Sequence, residues 1–202
     1  MHESPADIAR LQQLLDRSYA AAEAHLLSIH RPERRLSAAQ LAQRLTGVCL
    51  LSLATVTADC RPIVGPVDEI FYQGTFHFGS GPDSVRFRHI RARPQVGATH
   101  APAEELAVTV HGHAVPVDIH AEAGTGFGRT LLEIYVPRYG PEWEEFLDSG
   151  PVFARIEPNR MFTFPCDRST DSSAGSIVLY NRHYPQLTDE LVAGADPQAG
   201  LA

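Results

Sequence analysis

Short apolar runs separated by tight turns are the feature that most constrains the fold of this chain. Residues 48–56 are apolar and rich in β-branched side chains, residues 62–72 form a second such run, and residues 75–80 form a third. Gln73 and Gly74, between the last two runs, are typical of a two-residue hairpin turn. Runs joined so closely are expected to pair as an antiparallel meander, because a parallel pair needs a crossover of a dozen residues or more.

The rest of the chain adds more strands than helices. The same signals predict strands at 96–100 and 106–118, one or two more across 152–157 and 160–164, and helices at 83–93 and within 126–148. Strands and helices do not alternate regularly, so a parallel sheet is not expected. The pattern predicts a mainly β fold with peripheral α-helices, built as an antiparallel barrel.

Two amphipathic helices are predicted before the first strand. Apolar residues recur every three or four positions across residues 5–29, with Ser4 as the N-cap and a proline directly after it. The second helix spans residues 37–45, with Ser37 as its N-cap and Gly47 just beyond its end.

These patterns divide the chain into three parts. Residues 1–36 are predicted to form an N-terminal helical extension, residues 37–165 the barrel domain, and residues 166–202 a polar C-terminal tail rich in helix breakers.

All 17 basic residues of the chain are arginines, and this excludes several kinds of chemistry. Without lysine there is no Schiff-base nucleophile and no P-loop, so a bound phosphate must be held by arginine, hydroxyl or backbone N–H groups. The formal net charge of −7 argues against nucleic acid as a partner.

The remaining composition predicts a cytoplasmic protein that does not enter a membrane. The longest uncharged apolar stretch, residues 45–58, is too short to span a bilayer, and the N-terminus lacks the features of a signal peptide. Cys49, Cys60 and Cys166 are widely spaced and odd in number, so we expect reduced thiols and no metal site.

The segment 61–96 carries the chemistry that the residues themselves indicate. A Gly-Pro turn after the third predicted strand leads into a helix with Ser84 at its start and Arg86 in its first turn. A hydroxyl and free N–H groups at a helix N-terminus, beside an arginine, favour an anion such as a phosphate. Phe87 and Ile90 mark the buried side of this helix.

Two other patterns invite a functional interpretation. His111 and His113 lie on one face of a predicted strand, but two ligands without a third do not predict a metal or haem site. Gly112 between them indicates a close approach by a ligand or by another backbone, or a bulge. Asp68 and Glu69 are adjacent on a strand and point to opposite faces, so they cannot form a catalytic dyad.

Four segments in order give the chain a resemblance to a known family. They are LLSLATVTADCRPIVGPV, FHFGSGPDSVRFRHIRARPQV, VHGHA and RIEPNRMFTF. Across residues 37–164 the chain resembles the FMN-binding split-barrel proteins related to pyridoxamine 5'-phosphate oxidase, especially the branch of deazaflavin-dependent reductases. The resemblance implies an antiparallel split β-barrel of Greek-key type with N-terminal helices. It also implies an oxidoreductase that acts on a small molecule, as a homodimer with its cofactor at the subunit interface.

The resemblance also implies where a cofactor would bind. The phosphate would be held by Ser84, Val85 and Arg86, and the ring would lie along Ile63, Val64, Gly65, Pro66 and Val67 and the strand end Phe78, Gly79 and Ser80. FMN is the expected cofactor, with the deazaflavin coenzyme as an alternative and haem as a less favoured one. A non-catalytic flavin- or haem-binding protein is the alternative function. No side chain is named as an acid or base, because the cofactor carries the hydride or electron pair.

The chain departs from the family pattern at two points. The family's Arg-Lys pair after the serine is Val85-Arg86 here, and losing one charged contact would weaken phosphate binding about ten- to a hundredfold. The C-terminal arginine and tryptophan signature of the vitamin B6 oxidases is absent, since Trp143 is the only tryptophan and lies elsewhere. Pyridoxamine phosphate oxidation is therefore not expected.

Overall fold

Six antiparallel strands form a closed barrel in the computed structural model, which describes residues 2–103 and 106–165. The strands are β1 (Cys49–Val56), β2 (Pro62–Tyr72), β3 (Thr75–Ser80), β4 (Gln95–Ala103), β5 (Leu106–Val117) and β6 (Val152–Pro165). Their order around the barrel is β1-β2-β3-β6-β5-β4, and β4 closes it against β1. The run β4-β1-β2-β3 is a Greek key. The predicted fold class is thus confirmed, and the stretches 152–157 and 160–164 are one strand.

The β2–β3 hairpin has the turn that its sequence predicts. Gln73 has φ 52° and Gly74 has φ 82°. Two positive φ angles in succession are what a type I′ turn requires. This turn fixes the register in which Tyr72 pairs with Thr75, and so decides which side chains of β2 face the barrel interior.

The predicted N-terminal helix is two helices rather than one. α1 (Pro5–Ala20) ends before an extended residue, Glu23, and α2 (Ala24–Ile29) then begins in a new direction. The prediction of a single helix over residues 5–29 was therefore wrong. No glycine or proline breaks the chain here, but the turn lets Leu26 and Leu27 pack against the core. Tertiary packing overrides the local helical pattern.

α3 (Ala38–Arg44) has the predicted start and end. Ser37 and Gln40 form a capping box, and Gly47 follows the helix with φ 70°.

α1 covers the part of β6 that β3 does not reach. β3 pairs with β6 only from Val152 to Arg155. Farther along, the hydroxyl of Ser18 accepts a hydrogen bond from the Met161 N–H at 2.9 Å, and the hydroxyl of Tyr19 accepts one from the Thr163 N–H at 2.9 Å. Side chains of α1 thus satisfy strand groups that would otherwise form an unpaired edge.

Two hydrophobic clusters hold the structure together. The larger fills the barrel and includes the inner side of α1 and α3. The smaller lies between the outside of the barrel and two further helices, α5 (Thr125–Tyr139) and α6 (Glu142–Asp148), and its buried members are Ile70, Phe127, Leu131, Tyr135, Leu147 and Phe153. The last helix, α4 (Val85–Ala92), connects β3 to β4.

Two remaining expectations concern the ends of the chain and membranes. The predicted tail, residues 166–202 with Cys166, lies outside the described residues. Within the described part of the chain, no helix combines the length and the apolar character needed to cross a bilayer.

Candidate functional site

The start of α4 is built as the sequence predicts. Ser84 is the N-cap, and its hydroxyl oxygen accepts a hydrogen bond from the Phe87 N–H at 3.3 Å. Phe87 and Ile90 are buried and anchor the helix on the barrel. The N–H groups of the first turn have no acceptor within the helix, so this end of α4 is suited to an anion.

α4 is also tied to the end of β1 by side chains. The Thr55 hydroxyl and His89 Nδ1 are 3.0 Å apart, and Arg93 Nε donates to the Val56 carbonyl oxygen at 2.9 Å. These contacts fix the position of α4 relative to the paired strands β1 and β2, called the β1–β2 ribbon below. They therefore determine which groups the side chain of Arg86, in the first turn of α4, can reach.

Arg86 joins α4 to β2. One terminal nitrogen of its guanidinium donates to the Pro66 carbonyl oxygen at 2.8 Å. A Cβ placed on Gly65 would lie 3.4 Å from the same group, so the glycine leaves room for the arginine. Burial lowers the pKa of Arg86, yet a guanidinium remains charged in proteins. The structure thus brings Arg86 of α4 together with Gly65 and Pro66 of β2, about 20 positions earlier in the sequence.

The other predicted cofactor residues divide into two groups. Ile63, Val64 and Val85 are exposed by 44%, 64% and 49%, which is high for apolar side chains. Val67 and Phe78, in contrast, belong to the barrel core, so only their backbone groups are available to a ligand outside the barrel.

Gly79 and Ser80, at the end of β3, are half-buried. They pair with Phe153 and Val152 of β6. A Cβ on Gly79 would lie 2.7 Å from the Phe153 ring, so packing alone explains this glycine.

The structure explains Gly112 through the backbone of a neighbouring strand. The pairing of β5 with β6 shifts register between His111 and Gly112, and a Cβ at position 112 would lie 2.2 Å from the Glu157 carbonyl oxygen. Of the alternatives left open by the sequence, close backbone approach at a bulge is the one observed.

His111 and His113, the neighbours of Gly112 in the sequence, lie on the outer face of the barrel. His111 is exposed, and His113 Nε2 lies 3.1 Å from Glu157 Oε2. Arg155 donates to the other oxygen of that carboxylate at 2.6 Å. The pKa of Glu157 is lowered by these partners, with Arg155 the largest cause. His113 therefore contacts a surface carboxylate that Arg155 also holds.

A second cluster of polar side chains lies inside the barrel, and no sequence motif indicated it. Cys49, Glu69 and His100 come from β1, β2 and β4, and their potential ligand atoms lie within 4.8 Å of one another. Glu69 pairs with Cys49 across β1 and β2, and His100 Nδ1 is 3.6 Å from Glu69 Oε1. Only the barrel topology could show this, because the three residues are 20 and 31 positions apart.

Burial dominates the electrostatics of this interior cluster. It raises the pKa of Glu69 to about 8, and it raises that of the Cys49 thiol to about 12, with the Glu69 charge adding to the effect. It lowers the pKa of His100, whose Nδ1 lies 3.0 Å from the Leu50 carbonyl oxygen. Each shift favours the uncharged form, as expected where water is excluded. Asp68, in contrast, is exposed, as the alternation of the strand predicts.

Comparison with known proteins shows that this chain is similar in fold to several solved structures. No family model matches the chain, and no curated protein matches it. The conserved hypothetical protein Rv2991 from Mycobacterium tuberculosis aligns with a TM-score of 0.57 and 22% identity, over 73% of this chain and 98% of that one. HutZ, the heme storage protein from Vibrio cholerae, aligns with a TM-score of 0.50 and 20% identity, over 63% of this chain and 90% of that one.

An FAD-binding protein from Mesorhizobium loti aligns with a TM-score of 0.48 and 18% identity, over 64% of this chain and 93% of that one. At these identities the likeness concerns the fold. The split-barrel fold that the sequence motifs indicated is confirmed.

Proposed function

We propose that this protein is an oxidoreductase that binds FMN or the deazaflavin coenzyme and acts on a small molecule as a homodimer. The observation that carries the proposal is the position of Arg86. Its half-buried guanidinium lies against Gly65 and Pro66, beside the open N-terminus of α4 and next to an exposed apolar strand. A cation adjoining an apolar surface fits a ligand that has a phosphate at one end and a flat ring at the other.

The residues of this chain would bind and orient such a ligand. The hydroxyl of Ser84 and the remaining N–H donors of Arg86 are placed to hold a phosphate, since Arg86 uses one donor on Pro66. Ile63, Val64 and Val85 supply apolar contacts. When bound, a flavin-type cofactor would supply transfer of a hydride or electron pair.

Exposed apolar side chains on the β1–β2 ribbon support the homodimer. Ile63 and Val64 are adjacent, so they point to opposite faces of β2, and both are exposed. Leu50 on β1 is 58% exposed. A second copy of the chain would cover these side chains and close the cofactor pocket, which agrees with the interface position that the sequence resemblance implies.

The test begins with the absorption spectrum and mass of any small molecule that copurifies with the full-length protein. The chain is then titrated with FMN and with the deazaflavin coenzyme, and binding is followed by fluorescence. We expect micromolar binding of one of them. Binding of neither would overturn the proposal, and a Soret band that is lost in His111→Ala or His113→Ala would indicate haem instead.

Variants of α4 test directly whether Arg86 binds the cofactor phosphate. Arg86→Ala should weaken cofactor binding about ten- to a hundredfold, because a charged hydrogen bond to the phosphate is lost. Arg88→Ala is the matched control, since it removes the same charge from an exposed position on the same helix. Val85→Arg should strengthen binding by restoring a second cation. Equal affinities for the Arg86 and Arg88 variants would remove Arg86 from the site.

A further inference from the structure

The carboxylate of Glu69 poses a problem that the proposed function leaves unsolved. Its side chain is fully buried, and among the described residues the Cys49 thiol is the only group placed to hydrogen-bond with it, which leaves the carboxyl group under-satisfied. Buried polar atoms are nearly always satisfied, and a carboxyl group that ionises in such a place needs a bound cation. The residues that face this carboxylate are Cys49 and His100, whose thiol and imidazole are both potential metal ligands.

We propose that Cys49, Glu69 and His100 form a binding site for one divalent transition-metal ion of the zinc class. A thiolate, a carboxylate and an imidazole nitrogen are the three ligand types that zinc takes in proteins. Binding would release the protons of the Cys49 thiol and of the Glu69 carboxyl group to water. The thiolate and the carboxylate would then balance the two positive charges of the ion, so the occupied site is neutral overall, as a buried site requires.

The surroundings of the cluster suit such a site. The ligand atoms lie within 4.8 Å of one another, and tetrahedral zinc would bring them to about 3.5 Å, a change of about 1 Å that side-chain rotation can supply. The Leu50 carbonyl oxygen, 3.0 Å from His100 Nδ1, is placed to accept the Nδ1 proton, as backbone carbonyls do for histidine ligands of metals, so Nε2 would be the nitrogen that binds the ion. Cys49 is only half-buried, so an ion can enter from its side.

Three protein ligands leave the fourth position of a tetrahedral ion open. Closed structural zinc sites use four protein ligands, whereas three are typical of sites that also bind water or a substrate. The site shares none of the residues assigned to the cofactor, so this inference holds or fails independently of the proposed function.

Cobalt substitution tests the proposal because a cysteine ligand gives a distinct signal. Tag-free full-length protein, stripped with a chelator and kept reduced with a phosphine, is titrated with Co²⁺ alone. We expect one equivalent to produce a sulfur-to-cobalt charge-transfer band. Cys49→Ser should abolish the band, whereas Cys60→Ser, at an exposed cysteine, and Cys166→Ser should retain it. Absence of the band in the folded wild-type protein, or its persistence in Cys49→Ser, would overturn the site.

Glu69→Gln provides a second test that does not depend on the cysteine. Glutamine has the shape of the neutral acid, so this variant is expected to fold. Zinc at a hundredfold excess over its Kd should raise the Tm of the wild-type protein by roughly 5–10 °C. The variant should bind zinc at least tenfold more weakly and show a correspondingly smaller shift. Equal zinc affinity and equal Tm shifts in the two proteins would mean that Glu69 is a neutral buried acid and not a ligand.

Discussion

At the scale of single residues, the absence of lysine matters most at Arg86. A guanidinium carries several N–H donors in a fixed plane, so Arg86 can bond the Pro66 carbonyl oxygen and still present donors to a ligand. The ammonium group of a lysine has fewer N–H donors than a guanidinium and is more strongly hydrated. An arginine therefore serves as both a structural link between α4 and β2 and a cation for a phosphate.

His77 makes the stability of the protein depend on pH in a defined direction. Its ring is buried on β3, 4.4 Å from the Phe127 ring centroid, and burial lowers its pKa from 6.5 to about 4. Below pH 6.5 the unfolded chain takes up a proton at this residue while the folded chain does not. Stability from this group is therefore complete above pH 6.5 and falls by about 3 kcal/mol as the pH drops to 4.

Replacing His77 with phenylalanine should remove this part of the acid sensitivity. Urea unfolding measured at intervals from pH 7 to pH 4 should show a shallower fall in the free energy of unfolding for His77→Phe than for the wild type. His120→Gln is the control, because His120 is exposed. If the two variants lose stability with the same slope, His77 is not protonated on unfolding in this range.

At the scale of strands and helices, local signals predicted the elements well wherever a cap or turn residue was present. Ser4, Ser37 and Ser84 each begin a helix with a side-chain hydrogen bond, and Gln73-Gly74 makes the predicted turn. The break between α1 and α2 could not be predicted in this way, because it depends on packing against the barrel. Local chemistry is visible in a sequence, whereas long-range packing is not.

The same difference applies to the candidate sites. The predicted neighbourhood of Ser84 and Arg86 follows from a single turn and helix start, and the structure adds only its contact with Pro66. The cluster of Cys49, Glu69 and His100 depends on the pairing of β1 with both β2 and β4. A residue spacing cannot reveal such a cluster, since barrel closure brings the three strands together.

The bulge at Gly112 should be essential to the pairing of β5 with β6. In Gly112→Ala the new methyl group would overlap the Glu157 carbonyl oxygen, which is backbone and cannot rotate away. We expect a loss of about 1–3 kcal/mol in the free energy of unfolding, measured by urea denaturation. Gly97→Ala on the adjacent strand is the control, since its nearest neighbour would be 3.8 Å away. Similar losses in both variants would show that strand propensity, and not the clash, is responsible.

At the scale of the whole molecule, several of the exposed large apolar side chains in the described part of the chain lie close together on one part of its surface. The exposed large apolar side chains include Leu50, Ile63 and Val64 on the β1–β2 ribbon and Val85 at the start of α4. These residues lie close to Arg86 and to Pro66, which accepts its hydrogen bond. Assembly and cofactor binding are therefore expected to depend on each other, because the same surface would serve both.

Leu50→Asp tests this dependence. Leu50 is 58% exposed and is not assigned to the cofactor, so the change should leave the barrel and the cofactor contacts intact, but a charge in an apolar interface would lose its water without gaining a partner. We expect the mass in solution, measured by light scattering, to fall from that of a dimer to that of a monomer, and cofactor affinity to fall with it. Ile29→Asp is the matched control, because Ile29 is an apolar residue of α2 with 43% exposure. A wild-type protein that is already monomeric would place the cofactor site within a single subunit, and a dimer that survives in Leu50→Asp would place the subunit interface away from Leu50.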